Sequence, residues 1–144
     1  RVLDLGTGTG VLAIAAARAL RIGVLASDID PLSVKVAADN ARLNGAGDLV
    51  ETMRATGFSA PQFAQRGPFD LVMANILANP LRQLATPMAR HLAPSALVIE
   101  NSPLPLRPAW LYLVCNSRNR PSSRIHGWPY EKLVLITRTN LSIE

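Results

Sequence analysis

A glycine-rich turn near the start of the chain is the first segment whose residue types could bind a ligand. It reads Asp4-Leu5-Gly6-Thr7-Gly8-Thr9-Gly10 and stands between an apolar run and an alanine-rich one. Glycine permits positive φ and close approach of a ligand to the main chain, and a helix beginning there offers unpaired N–H groups. The dinucleotide fingerprint G-x-G-x-x-G requires glycine at position 11, where this chain has Val11. The turn therefore favours a ligand without a pyrophosphate, and a purely structural turn stays open as the alternative.

An acidic side chain follows the second predicted strand. Asp28 lies 18 positions after Gly10, where a carboxylate in such folds accepts hydrogen bonds from ribose hydroxyls. Asp30 stands directly before Pro31, which is the pattern of a helix N-cap. The glycine turn and Asp28 together predict a site for a ligand that contains a nucleoside.

Asn75 follows the fourth predicted strand, at residues 69–74. In open α/β sheets, ligands bind beyond the carboxyl ends of the strands, so Asn75 and the glycine turn are predicted to face one crevice. Asn75 is therefore the candidate catalytic residue. The alternative is a helix cap beside Asn79.

Strands and helices alternate over the first hundred residues. Strands are predicted at 2–5, 23–28, 49–53, 69–74 and 97–99, and helices at 11–20 and 31–44. A polar loop spans 57–68, and the pairs Asn79-Pro80 and Thr86-Pro87 each predict the start of a short helix. A final strand is expected at 133–136. The alternation predicts an α/β fold, a parallel sheet with helices on both faces.

Composition bounds the class of protein. The chain has 144 residues, of which 49% are hydrophobic and 17% charged, as in a single globular domain. No apolar run approaches the ~20 residues that cross a bilayer, and no secretory signal pattern opens the chain, so we expect a cytoplasmic protein. The lone Cys115 has no partner for a disulfide or a zinc site. His91 and His126 have no nucleophile or metal ligand at a recognisable spacing, and we assign both structural or surface roles.

The net charge of +5 is unevenly distributed. Residues 1–100 hold nine Lys and Arg against eight Asp and Glu, a net +1, whereas residues 101–144 hold six against two, a net +4. A body so close to neutral does not predict a surface that follows a phosphate backbone. We therefore expect no direct nucleic-acid binding.

Several segments together resemble one known family. DLGTGTG, SDIDP, ADNARLNG and FDLVMANILANPL, followed by ARHLAP, are similar to the PrmA family of class I S-adenosylmethionine-dependent methyltransferases, bacterial enzymes that methylate protein eleven of the large ribosomal subunit. The resemblance covers about residues 1–100 and leaves 101–144 as a divergent tail of the same domain. It implies a Rossmann-like fold and N-methylation of lysine side chains and the terminal amine. Because the chain begins on its first strand, we expect a domain truncated at its N-terminus.

The resemblance also implies a role for each candidate residue. Asp28 would bind the ribose of S-adenosylmethionine, Ile29 would lie against its adenine, and Thr56 would lie nearby. Asn75 would contact the donor and the acceptor amine. The residues implied to line the methionine part are Asp4, Gly6, Thr7, Gly8 and Gly10.

Other functions stay open beside a protein N-methyltransferase. One is a non-catalytic relic that only binds S-adenosylmethionine, and another is a class I methyltransferase for a small molecule or nucleic acid. A nicotinamide-dependent oxidoreductase shares the ribose-binding acid but requires the glycine that is absent at position 11.

Overall fold

Five parallel strands form the central sheet of the chain. The computed structural model describes residues 1–100, 124–125 and 128–129. The sheet has the order β3-β2-β1-β4-β5, and its strands are β1 (Val2–Leu5), β2 (Val24–Asp28), β3 (Val50–Arg54), β4 (Phe69–Ala74) and β5 (Leu92–Glu100). The helices are α1 (Val11–Leu20), α2 (Pro31–Leu43), α3 (Pro61–Arg66) and α4 (Ala78–Ala89). A separate antiparallel pair consists of β6 (Arg124–Ile125) and β7 (Trp128–Pro129).

Strands β1 to β4 each supply side chains to two cores because successive residues point to opposite faces. Val2 packs with residues of α1 and α2, whereas the adjacent Leu3, which is fully buried, packs with residues of α3 and α4. The helices therefore cover both faces of the sheet. This confirms the predicted α/β fold.

The strand order places a switch point beside β1. The chain proceeds outward from β1 to β2 and β3, then returns across β1 to form β4. Leu5, the last residue of β1, lies opposite Ser27 of β2 on one side and Ala74 of β4 on the other. A crevice opens at such a point because the connections on its two sides lead away in opposite directions.

Helix α2 begins as the sequence predicts. The Asp30 carboxylate accepts hydrogen bonds from Leu32 N at 3.0 Å and Ser33 N at 3.3 Å, and Pro31 occupies the first turn. These hydrogen bonds, that of Leu32 foremost, lower the pKa of Asp30. The N-cap interpretation of Asp30 is confirmed.

Helix α3 lies inside the segment that the sequence analysis assigned to a polar loop, and that prediction is wrong. Its six residues are too few to show a helical period. Phe63 anchors the helix, since it is fully buried and its ring centroid lies 4.8 Å from that of Phe58.

The prediction of two short helices after Asn75 is also wrong, because α4 is continuous. Its N-cap is Leu77, so Asn79 and Thr86 lie within the helix and cap nothing. Pro80 is tolerated in the first turn, where the backbone N–H that proline lacks has no intrahelical partner, and Pro87 falls in the last turn. Leu81, which follows Pro80, and Met88, which follows Pro87, are both buried and hold the helix on the core.

Strand β5 is longer than the predicted 97–99. Its pairing with β4 starts at Phe69 with Leu92 and resumes at Leu71 with Leu97, so an irregularity in register separates two paired parts. The strand expected at 133–136 lies outside the described residues. Within the part of the chain that the structure describes, none of the helices is both long enough and apolar enough to traverse a bilayer.

His91 gives the fold a pH dependence. Its ring stacks on Phe58 with centroids 5.2 Å apart, and burial lowers its pKa below the ordinary 6.5. The folded state therefore binds fewer protons than the unfolded state near this pH, so the free energy of unfolding falls as the pH drops through about 6.5 towards the folded pKa. Urea denaturation at about pH 7.5 and about pH 5.5, on either side of that value, measures the loss. The H91Q variant cannot titrate and should lose less; an equal loss would contradict the assignment.

Candidate functional site

Residues 6–10, here called the glycine loop, reverse the chain between β1 and α1. Gly6, Gly8 and Gly10 have φ of 71°, 55° and 84°, in the left-handed region where a Cβ is unfavourable. The backbone N–H groups of Gly6 and Thr7 both donate to Ser27 O, at 2.8 and 2.9 Å, which fastens the loop to β2. A Cβ added at Gly8 would meet nothing within 4 Å. The loop therefore has open space above Gly8, where a ligand can approach the main chain.

Asp4 lies under the glycine loop and is 1% exposed. Its Oδ2 accepts hydrogen bonds from Thr7 Oγ1 at 2.6 Å and from Ala13 N at 3.0 Å. Burial raises the pKa of Asp4, and the two hydrogen bonds oppose that rise. The carboxylate thus ties the loop to the first turn of α1.

Asp28 ends β2 and connects two loops. Its Oδ2 accepts from Gly8 N at 2.8 Å, and its Oδ1 accepts from Asp30 N at 3.0 Å. The side chain is half-buried. A carboxylate oxygen has more than one acceptor position, so Asp28 can accept hydroxyl donors while holding the glycine loop.

Ile29 and Thr56 lie on the β3 side of Asp28. Ile29 is 61% exposed and presents its apolar side chain to the solvent beside Asp28. Arg54 Nε donates to the Ile29 carbonyl at 3.2 Å and fixes this turn, and Ala55 N donates to Asp28 O at 2.9 Å. Thr56, the residue that follows Ala55, is exposed. The arrangement offers an apolar surface beside the carboxylate.

Asn75 follows β4 and is exposed. Because Ala74 pairs with Leu5, Asn75 emerges at the same sheet edge as Gly6. The helix-cap alternative for Asn75 is not supported, since α4 begins at Ala78. A side-chain amide here can both donate and accept hydrogen bonds.

Sequence reasoning missed two features of the site. The Thr7 to Asp4 hydrogen bond requires the reversed path of the glycine loop, and Ile76 packs so closely on Gly6 that a Cβ there would lie 2.2 Å from Ile76 Cγ2. In the sequence, the presence of Asn75 and Ile76 after a strand does not indicate that Ile76 contacts Gly6. The β1 to β4 register is the information that would have revealed it.

The candidate residues converge on the carboxyl edge of β1, β2 and β4. The edge presents a glycine loop, a carboxylate, an exposed apolar side chain and an amide. A cavity of about 280 Å³ lies at the opposite edge, where it is lined by Gly23, Gly47 and Glu51 among others and by none of the candidates. The described residues hold no group of three or more His, Cys, Asp or Glu side chains placed to bind a metal ion. The arrangement suits binding of a nucleoside-containing ligand and positioning of a second reactant.

Comparison with known sequences gives a specific match. The sequence model of the family described as ribosomal protein L11 methyltransferase (PrmA) matches residues 1–102. The ribosomal protein L11 methyltransferase of Rhodopseudomonas palustris (strain BisB5) is 79% identical over 98 residues, which are 68% of this chain and 33% of that relative. The chain spans about a third of the length of the curated relatives it matches.

Solved structures share the fold. An RNA methyltransferase from Salinibacter ruber in complex with S-adenosyl-L-homocysteine superposes with a TM-score of 0.62 and 29% identity, covering 70% of this chain and 64% of that one. The ribosomal protein L11 methylase from Lactobacillus delbrueckii subsp. bulgaricus superposes with a TM-score of 0.52 and 40% identity, covering 64% of this chain and 45% of that one.

The Asp4 to Thr7 bond should contribute measurably to stability. In T7V a methyl replaces the hydroxyl and leaves the buried carboxylate with one partner fewer, so the free energy of unfolding should fall by about 1–3 kcal/mol. T7S keeps the hydroxyl and should lose less. The matched control is T9V, the same change at an exposed position of the same loop. Urea denaturation measures all three, and equal stability of T7V and T9V would contradict the proposed role of the bond.

Proposed function

The chain belongs to the ribosomal protein L11 methyltransferase family, and from this premise we propose that it is the donor-binding part of an enzyme that transfers methyl groups from S-adenosylmethionine to ribosomal protein L11. The acceptors are lysine side chains and the terminal amine. The observation that carries the proposal is the convergence of the glycine loop, Asp28 and Asn75 on one sheet edge. Residues 1–144 are taken as one domain, with 1–100 as its donor-binding core. Because the acceptor is a ribosomal protein, we assign the reaction to the cytoplasm.

The residues fit the donor by their chemistry. S-adenosylmethionine has a ribose diol but no pyrophosphate, and it supplies an electrophilic methyl group on a sulfonium. Each carboxylate oxygen of Asp28 already accepts one backbone N–H, from Gly8 or from Asp30, and has a further acceptor position. With these further positions, Asp28 accepts hydrogen bonds from the two ribose hydroxyls. The glycine loop, shaped by Asp4 and Thr7, lies along the methionine part.

The adenine side is assigned to residues that follow β2 and β3. Ile29 packs against the ring with its exposed side chain, and Thr56 borders the same place. Burial of an aliphatic side chain contributes up to about 1.5–3 kcal/mol, so a ligand that covers Ile29 gains affinity.

Asn75 orients the acceptor amine. A lysine with a pKa of about 10.4 must lose a proton before it reacts, which costs about 4–5 kcal/mol at neutral pH. The Asn75 side-chain oxygen accepts an N–H of the neutral amine and directs its lone pair towards the donor, and the Ala74 and Ile76 carbonyls are further acceptors. The amine nitrogen gains the bond to carbon, sulfur keeps the electron pair of the broken bond, and water takes the proton from the product. Alignment of the two reactants supplies most of the rate, and the chain forms no covalent bond.

One observation favours a second candidate, methylation of RNA. The Salinibacter ruber protein is an RNA methyltransferase at 29% identity. Against this candidate, residues 1–100 carry a net charge of only +1, which provides few contacts to phosphates. Methyl transfer to RNA but not to the ribosomal protein would select it.

Asp28 should decide donor affinity. D28A removes the acceptor of two ribose hydroxyls, each bond to a charged group being worth about 1.5–3 kcal/mol, so S-adenosylhomocysteine should bind more weakly by a factor of at least about 100. Isothermal titration calorimetry measures the dissociation constant. The matched control is D30A, which removes the exposed cap of α2 two residues away and should bind within about threefold while losing about 1 kcal/mol of stability. Unchanged affinity of D28A would overturn the donor assignment.

Asn75 should decide the rate of transfer. N75A removes the group that orients the amine, so transfer of labelled methyl to the ribosomal protein should slow by at least about tenfold. The fold-change in S-adenosylhomocysteine affinity should be smaller than this fold-change in rate. N79A makes the same change at an exposed position of α4 and should transfer at the unaltered rate. Equal rates for N75A and the unaltered chain would remove Asn75 from the mechanism.

A further inference from the structure

A close contact joins the two loops that flank the switch point. A Cβ built on Gly6 would lie 2.2 Å from Ile76 Cγ2 and 3.7 Å from Ile76 Cβ. Real Cβ atoms are essentially never closer than 3.0 Å to a neighbour, so the Ile76 methyl occupies the space that any side chain at Gly6 would need. The rest of Ile76 packs against the core on the α3 and α4 side of the sheet.

The two residues belong to different halves of the proposed site. Gly6 opens the glycine loop, and Ile76 follows Asn75 directly. Their strands are paired up to Leu5 and Ala74, where the ladder ends. Beyond that point, the Ile76 methyl lies against Gly6 and limits how closely the two loops can approach each other.

We propose that Ile76 is a positioning residue, whose Cγ2 methyl holds the glycine loop at the spacing from Asn75 that donor binding requires. The inference rests on the proposed function. It adds a side chain that contacts neither the methyl donor nor the acceptor amine. The contact acts on the donor through Gly6 and on the acceptor side through the adjacent Asn75.

The chemistry of isoleucine suits this role. Its branch at Cβ restricts χ1, so Cγ2 has a position fixed relative to the backbone. Leucine has the same number of atoms but branches one carbon later, and valine keeps both γ-carbons. The contact therefore predicts that valine replaces isoleucine better than leucine does, the reverse of what total volume predicts.

A thermal unfolding cycle tests the contact without any ligand. G6A should lower the midpoint by roughly 3 °C or more beyond G8A, a difference of about 1 kcal/mol in a chain of this size. G8A is the matched control because Gly8 also has positive φ but has nothing within 4 Å of the added Cβ. In the I76A background, the cost of G6A should fall to about that of G8A. An equal cost of G6A in both backgrounds would overturn the contact.

Calorimetric titration with S-adenosylhomocysteine tests the positioning role on the 144-residue chain. I76V should bind within about threefold of the unaltered chain, whereas I76L should bind about tenfold more weakly, a change of about 1.4 kcal/mol, with its unfolding midpoint close to that of I76V. Equal affinities of I76L and I76V would overturn the inference. If the unaltered chain does not bind S-adenosylhomocysteine, the proposed function fails, and with it the positioning role, whatever coupling the unfolding cycle records between Gly6 and Ile76.

Discussion

A buried carboxylate holds the reversal of the chain between β1 and α1. Asp4 is almost fully excluded from solvent, and burial alone disfavours its charged form. The hydrogen bonds from Thr7 and Ala13 offset part of that penalty and tie the glycine loop to the start of α1. Because Asp28 then accepts from Gly8 N, the loop is held from two strands before any ligand binds. A preformed loop loses less conformational entropy on binding.

Parallel pairing explains why the other groups are close to this loop. β1 lies between β2 and β4 in register, so residues that follow all three strands emerge at one edge. Asp28 and Asn75 are separated along the chain, yet each lies one strand away from the glycine loop. The fold itself supports many chemistries, so the proposed function depends on the side chains at this edge together with the family to which the chain belongs.

Local patterns predicted most of the sheet and the first two helices, because short apolar runs and the Asp30-Pro31 cap depend on neighbours in sequence. The failures have physical causes. Asn79-Pro80 resembles a helix start, but proline is also tolerated at the third position of a helix. Helix α3 is anchored by the buried ring of Phe63, and its six residues are too few to show a helical period. The candidate site residues could be named from motifs, whereas the Asp4 to Thr7 bond and the Ile76 contact depend on the loop path and the strand register.

We propose that the donor binds at the carboxyl edge of β1, β2 and β4. Titration of ¹⁵N-labelled protein with S-adenosylhomocysteine, followed by the backbone amide resonances, tests this most directly. We expect the resonances of residues 6–10, 28–30 and 75–77 to shift, while those of Gly23 and Gly47 at the opposite edge stay in place. Shifts confined to the cavity around Gly23 and Gly47 would contradict it.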